Sequence, residues 1–262
     1  MISKPQLWPR LLPTPFACPS VSHLVGYSGA AFLADTTYII DTLATGGATK
    51  TVTDDGTGSD WLELDGTYAA SSAITLAWTT LSGTATQASG LYDDGTNTSR
   101  LIVNGAIENV RGSNDKDDIT GNELANILYG DQAATGTGNN DTLSGADGND
   151  TIYGGGGKDL IYGGAGNESV FGDAGIDTIN GDAGIDTIEG GSGADVLSGG
   201  GSIGDTLSYL NSTAAVTITI TFGVTTAATG GDAGGDSING FSDVWGSAFN
   251  NTVTDTGTLQ TG

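Results

Sequence analysis

Aliphatic residues recur every nine positions in the second half of the chain. Six units follow one another without a gap from Gly145 to Ser198, and each has an aliphatic residue at its eighth position. With the unit that follows, these residues are Ile152, Ile161, Val170, Ile179, Ile188, Leu197 and Leu207. Side chains alternate between the two faces of a strand, so triplets such as Thr-Ile-Tyr direct one side chain inward and two outward. The pattern predicts three-residue strands stacked in a solenoid.

The other positions of the unit are also regular. Glycine is frequent at positions 1, 2 and 4, where it permits a tight turn at positive φ. The unit from Gly199 has one extra residue, the units from Gly112 and Gly121 are degenerate, and an insertion begins at Gly130. The turn glycines of the regular units are Gly145, Gly148, Gly154, Gly155, Gly157, Gly163, Gly164, Gly166, Gly172, Gly175, Gly181, Gly184, Gly190, Gly191 and Gly193.

Outside the repeats the pattern is less regular. Short β-branched or alternating runs, such as TYII from Thr37 and RLIVNG from Arg100, predict strands joined by turns. We therefore divide the chain into five segments: a Pro-rich leader, expected to be disordered (1–24), a β-rich segment (25–111), the repeats (112–208), an interlude resembling a β-hairpin (209–245) and the truncated start of a further degenerate block (246–262).

Composition and charge exclude several classes of protein. The 262 residues include 45 glycines, and 31 acidic against 7 basic residues leave a net charge of −24. Such a charge disfavours nucleic acid and anionic membranes as partners. No apolar run is long enough to span a membrane, and a single cysteine allows no internal disulfide. With His23 as its one histidine, the chain lacks a recognisable catalytic set, so we do not expect an enzyme.

Acidic residues at position 6 are the candidate metal ligands. One aliphatic side chain per nine residues buries little apolar surface, and residues 107–208 hold eighteen acids against three bases. A bound cation would add stability where little apolar surface is buried, and it would neutralise part of the excess negative charge. Carboxylate and carbonyl oxygens, without Cys or His, favour calcium over a transition metal, and a flexible glycine turn disfavours magnesium. The candidate ligands are Asp141, Asp150, Asp159, Glu168, Asp177, Asp186, Asp195 and, shifted by one residue, Asp205.

Tandem units of the form G-G-x-G-x-D-x-U-x resemble the calcium-binding repeats of the repeats-in-toxin (RTX), or hemolysin-type, proteins. The resemblance implies an all-β fold, a parallel β-roll flanked by short antiparallel strands, in which several calcium ions each lie between one turn and the turn two units later. Carried over by position, one column contains Asp141, Asp159, Asp177 and Asp195, preceded by Asp117. The other contains Asp150, Glu168, Asp186 and Asp205, preceded by Asn126.

The flanks and the biology follow from the same resemblance. SDWLELDG and IENVRGSNDKDDITGNELANILYGD resemble the region before the repeats of serralysin-type secreted metalloproteases, without the protease domain. The family implies a secreted bacterial protein exported by type I machinery, with the repeats as a calcium-dependent folding and secretion module. A surface adhesin or matrix protein, or the accessory C-terminal part of a secreted hydrolase or polysaccharide-modifying enzyme, are the alternatives.

Overall fold

The structure, a computed structural model, describes residues 108–112, 116–131, 138–220, 226–227 and 229–255, and before these Ser59, the side chains of Trp61 and Leu62, and the backbone of eight strands. The strands are β1 Val21–His23, β2 Ala31–Phe32, β3 Thr37–Ile40, β4 Thr49–Asp54, β5 Trp61–Leu64, β6 Ser72–Thr75, β7 Ala88–Asp93, β8 Thr98–Asn104, β9 Asn109–Arg111, β10 Asp117–Thr120, β11 Ile127–Tyr129, β12 Thr142–Ser144, β13 Thr151–Gly157, β14 Leu160–Ala165, β15 Ser169–Gly175, β16 Thr178–Ala183, β17 Thr187–Glu189, β18 Val196–Ser198, β19 Thr206–Ser208, β20 Thr217–Ile220, β21 Thr226–Ala227, β22 Ser237–Asn239, β23 Asp243–Trp245 and β24 Thr252–Asp255. A single 3-10 turn, Gly231–Ala233, interrupts this all-β pattern in the described part.

Two long sheets receive alternate strands of the repeats. One has the order β1-β3-β5-β9-β11-β13-β15-β17-β19-β23, and all of its neighbours are parallel. The other continues from β6 through β10, β12, β14, β16 and β18 to β22, also in parallel. Each strand therefore pairs with the strand two units later, as in Ile152↔Val170 and Ile161↔Ile179. The predicted parallel β-roll is confirmed.

The core is a file of position-8 side chains between the two sheets. Ile152, Ile161, Val170 and Ile188 have no exposed surface, while positions 7 and 9 lie mostly on the outside. Upstream, Leu128 pairs with Ile152 across 24 residues instead of 18, because the insertion after Gly130 lengthens one turn. The insertion leaves the core register unchanged, since the strands on both sides of it keep their aliphatic side chains inward.

The roll extends beyond the predicted boundaries at both ends. Past residue 208, β22 continues one sheet and β23 the other, so the ladder runs through the segment predicted as an interlude. That segment is only partly a hairpin: β21 is antiparallel to β22, but β20 pairs in parallel with β24. Near the start, Val21–His23 forms β1, so the expectation of disorder is wrong for these three residues, and the rest of the leader lies outside the described residues.

Antiparallel pairing is confined to few strands. Among the described elements upstream of the repeats, β7 pairs in antiparallel fashion with β6 and β8. These pairs agree with the flanking antiparallel strands that were predicted. No helix in the described part of the chain has the length and hydrophobicity needed to cross a bilayer.

Candidate metal-binding sites

Carboxylates of the first column are joined by a ladder of backbone hydrogen bonds. The N–H of Asp141 donates to Oδ1 of Asp159 over 2.8 Å, and Asp159 and Asp177 repeat this bond to Asp177 and Asp195. At the start of the column, Asp117 donates to Asp141 over 2.7 Å. From Asp141 to Asp195, each aspartate thus uses Oδ1 to fix the turn two units earlier, which leaves Oδ2 for another partner.

The second column has the same ladder with one break. Asn126 donates to Oδ1 of Asp150, Glu168 to Asp186 and Asp186 to Asp205, over 2.8 to 3.0 Å. Neither carboxylate oxygen of Glu168 accepts a hydrogen bond, although both are buried. The extra methylene of glutamate therefore displaces its carboxylate from the position that aspartate occupies in the other units.

At position 6 of the units from Asp141 to Asp205, the second oxygen of each aspartate is buried and has no hydrogen-bond donor. The residues whose Oδ2 is in this state are Asp141, Asp150, Asp159, Asp177, Asp186, Asp195 and Asp205. Burial is the main cause that raises the pKa of Asp141 to about 9, that of Asp177 to about 8 and that of Asp159 to about 6. A buried carboxylate without a counter-charge is costly, so these oxygens require a proton or a cation.

First-position glycines surround the space in front of these oxygens. A Cβ built on Gly154 would lie 2.6 Å from Oδ2 of Asp159 and 2.7 Å from the carbonyl oxygen of Gly172. On Gly181 the corresponding distances are 2.5 Å to Oδ2 of Asp186 and 2.7 Å to the carbonyl oxygen of Gly199. The space beside each first-position glycine therefore lies between a carboxylate oxygen of one turn and a carbonyl oxygen of the turn two units later. A side chain at the glycine position would fill this space.

The turns also depend on glycine at position 4. Gly157, Gly166 and Gly184 have φ of +130°, +149° and +145°, a region that side chains disfavour. A Cβ on Gly184 would collide with the carbonyl oxygen of Gly166 in the turn two units earlier. Position 2 is more permissive, since Asp173 and Asp182 adopt φ of +69° and +66°, a left-handed conformation that aspartate tolerates.

The donor set fits a hard cation held by mixed ligands. Among the described residues, no three His, Cys, Asp or Glu side chains form a group that would hold a metal by themselves. The available ligands are two carboxylates from neighbouring turns of one column, two units apart in the chain, and the carbonyl oxygens of those turns. Calcium accepts six to eight such oxygens in flexible geometry.

Comparison with known families agrees with this chemistry. Residues 135–167 and 171–203 match the family model described as RTX calcium-binding nonapeptide repeat (4 copies). The chain contains RTX repeats. No curated protein and no solved structure matches it. Calcium is therefore the cation of these repeats, and the position-6 carboxylates with the first-position carbonyls would hold it. The serralysin-like flank lies outside the matched residues and stays a prediction.

One member of the first column lies outside the predicted site residues. Asp236 pairs in register with Asp195, whose N–H donates to its Oδ1 over 2.9 Å. A signal for it exists in the sequence, because GDAGGDSIN from Gly231 repeats the pattern of GDAGIDTIN from Gly172. The similarity is hard to recognise in the sequence, because the segment between Ser208 and Gly231 separates this unit from the other RTX repeats.

Two acidic residues outside position 6 are more buried than their positions in the sequence indicate. Asp131, in the irregular insertion, is 3% exposed, accepts a 2.7 Å hydrogen bond from the N–H of Gly156 and has its other oxygen unpartnered. Burial raises its pKa to about 7. Glu189, at position 9 of its unit, is buried and accepts a hydrogen bond from the hydroxyl of Ser208. Among the other acidic residues outside position 6, Asp147 is exposed, whereas Asp173 and Asp182 are half-buried.

Asparagines at position 5 form a second, outer ladder beside the RTX carboxylates. Lys158 donates from its backbone N–H to Oδ1 of Asn140, Asn167 to Asn149 and Ile185 to Asn167, over 2.8 to 2.9 Å. These bonds run in the opposite direction to those of position 6, from the later turn to the earlier one. The repeated Asn at position 5 was the signal available in the sequence.

Aromatic residues at position 9 stack along the outer face of one sheet. The rings of Tyr129 and Tyr153 are 4.6 Å apart, and those of Tyr153 and Phe171 are 4.9 Å apart, with interplanar angles of 7° and 9°. The guanidinium of Arg111 lies over the rings of Trp61 and Tyr129. The facing surfaces of these rings are thus occupied by packing between turns.

Proposed function

We propose that the chain is a calcium-dependent folding module of a bacterial extracellular protein. The observation that supports the proposal is the file of buried, unpartnered Oδ2 atoms, seven in the two columns. Without cations these like charges face one another in a low-dielectric stack, and little apolar burial is available to offset their repulsion. Calcium binding and folding would then be a single event.

Successive carboxylates of each column define the ion positions that we propose. In the first column, calcium would lie between neighbouring members from Asp117 to Asp195. In the second, it would lie between neighbouring members from Asp150 to Asp205. Glu168 would be the weakest ligand, because its carboxylate is displaced relative to aspartate.

The proposed coupling of folding to calcium binding also suggests a route of export. A chain that stays unfolded where calcium is scarce and folds where calcium is abundant suits a type I system, which the RTX resemblance implies. We place the folded module outside the cell on this basis and assign it no catalytic role. Co-expression with a type I exporter, followed by measurement of the exported fraction, tests this part of the proposal.

Far-ultraviolet circular dichroism of the full chain tests the folding role. In excess chelator we expect mostly disordered signal, and calcium addition is expected to restore the β signal cooperatively. Magnesium at the same concentrations serves as the matched control and is expected to produce little change. A chain with full β signal in chelator at neutral pH would contradict the proposal.

A further inference from the structure

The last turn of the first column contains a hydrogen bond that the other turns lack. The hydroxyl of Tyr209 donates to Oδ2 of Asp236 over 2.7 Å. Tyr209 is 1% exposed and Asp236 has no exposed surface. In Asp141, Asp159, Asp177 and Asp195 this oxygen has no donor, so Asp236 differs from these four aspartates of its column.

The backbone of this turn also differs, although its sequence resembles that of an RTX turn. Gly231-Asp-Ala-Gly corresponds to Gly172-Asp-Ala-Gly and Gly181-Asp-Ala-Gly. At position 4, Gly184 has φ of +145°, whereas Gly234 has φ of −72° and follows a 3-10 turn. The same four residues thus adopt another conformation at the end of the column.

The segment after β19 holds this conformation in place. The N–H of Asp232 donates to Oγ of Ser212 over 3.0 Å, and a Cβ on Gly231 would collide with that Oγ. The N–H of Ser212 in turn donates to the carbonyl oxygen of Tyr209 over 3.1 Å. Ser212 therefore contacts the start of this turn at Gly231 and Asp232, and Tyr209 contacts its end at Asp236.

We propose that the Tyr209–Asp236 pair closes the first column without calcium. The phenol hydroxyl satisfies the oxygen that a cation would satisfy in the other turns, and the carbonyl oxygen of Gly230 accepts the N–H of Ala233 within the 3-10 turn. Asp236 keeps its structural role, because Oδ1 still accepts the hydrogen bond from Asp195. This inference rests on calcium binding by the repeats, and it specifies that the calcium sites of the first column end before Asp236.

The second column begins with an asparagine whose side-chain amide already has protein partners. Nδ2 of Asn126 donates to the carbonyl oxygen of Glu108 over 2.8 Å and to Oδ1 of Asn122 over 3.0 Å. An amide group supplies the hydrogens there, as the tyrosine hydroxyl does at Asp236. Polar side chains of the protein thus replace the ion at opposite ends of the two columns.

Counting bound calcium in the full-length chain tests the proposal. Native mass spectrometry and isothermal titration would compare the wild type with Asp236→Asn and with Asp177→Asn as the positive control. We expect Asp236→Asn to keep the wild-type number of ions, since asparagine retains the oxygen that Asp195 uses, and Asp177→Asn to lose at least one. Loss of an ion in Asp236→Asn would show that Asp236 is a ligand and would overturn the proposal.

A second variant gives a readout that does not depend on the ion count. Tyr209→Phe removes the donor and leaves Oδ2 of Asp236 buried without a partner, so we expect the melting temperature in saturating calcium to fall by about 2–8 °C. Tyr162→Phe, at a half-exposed position of the roll, is the matched control. An unchanged melting temperature in Tyr209→Phe would overturn the proposal. If the wild type bound no calcium, the proposed function would fail, and this melting comparison would still decide whether the pair stabilises the fold.

Discussion

The backbone N–H of Asp159 donates a hydrogen bond to Oδ1 of Asp177, eighteen residues later in the chain. Asp177 is therefore a link between turns, and its buried, unpartnered Oδ2 is the atom that we propose as a calcium ligand. Its own N–H continues the ladder to Asp195. Because each turn depends on the carboxylate of a later one, loss of a single aspartate should affect several turns of the solenoid.

Replacement of Asp177 by alanine tests this dependence. Asp177→Ala removes one ladder acceptor and one ligand from two neighbouring sites, so we expect the calcium midpoint of folding to rise at least about tenfold, given roughly 1.4 kcal/mol per factor of ten. Asp118→Ala is the matched control, because Asp118 is exposed. Asp131 is unsuitable as a control, since it is buried and hydrogen-bonded. Equal midpoints in Asp177→Ala and Asp118→Ala would contradict the ladder.

Shortening Glu168 should improve the second column. In Glu168→Asp the carboxylate can accept the N–H of Asp150, so we expect a gain of about 0.5–1.5 kcal/mol in stability with calcium bound. A calcium titration followed by circular dichroism measures the change in midpoint. The reciprocal variant Asp186→Glu is expected to weaken binding, because it breaks the bond that Glu168 donates. Weaker binding by Glu168→Asp would mean that the position-6 register is wrong in this column.

A methyl group at Gly184 should disrupt the turn stack. Gly184→Ala places a Cβ against the carbonyl oxygen of Gly166 at a φ of +145°, so we expect a loss of at least about 1–3 kcal/mol. Thermal melting in saturating calcium measures it. Gly201→Ala is the control, because a Cβ there meets no atom within 4 Å. Similar melting temperatures for both variants would contradict the close approach of the turns.

The calcium-free chain should be more stable in acid than at alkaline pH. Burial raises the pKa of Asp141 to about 9 and of Asp177 to about 8, while the unfolded chain ionises near its ordinary value of about 4. The folded state thus binds more protons between these limits, and stability falls as the pH rises through them. In chelator we expect the strongest β signal near pH 4, progressive loss toward pH 9, and recovery on calcium addition at pH 8. A β signal that increases with pH in chelator would exclude these shifts.

Much of the repeat block follows from local regularity. The nine-residue period places Ile152, Ile161 and their counterparts at position 8, and all of them lie in the core. Hard oxygen ligands without Cys or His indicate calcium, and the family match agrees. These predictions succeed because one turn is a short local unit whose conformation depends on its own glycines and aspartate.

Features that depend on distant segments were not predictable in the same way. Glu189 accepts a hydrogen bond from Ser208, and Asp131 accepts one from Gly156, 25 residues later in the chain. Neither partner is adjacent in sequence, and an acidic residue at an outward or irregular position normally lies in solvent. The end of the roll was placed too early because the segment from Ser208 to Gly231 interrupts the period.

The amino-acid sequence by itself determined the solenoid, its core side chains and the kind of cation, since each depends on residue types within one nine-residue unit. Only the tertiary structure decided which turn departs from the backbone conformation of the other repeats. Gly172–Gly175 and Gly231–Gly234 have the same residues, but Ser212 accepts a hydrogen bond from Asp232 in the latter, and Tyr209 donates one to Asp236, which follows it. The conformation of a glycine-rich turn has little intrinsic preference, so the neighbours that satisfy its polar groups determine its shape.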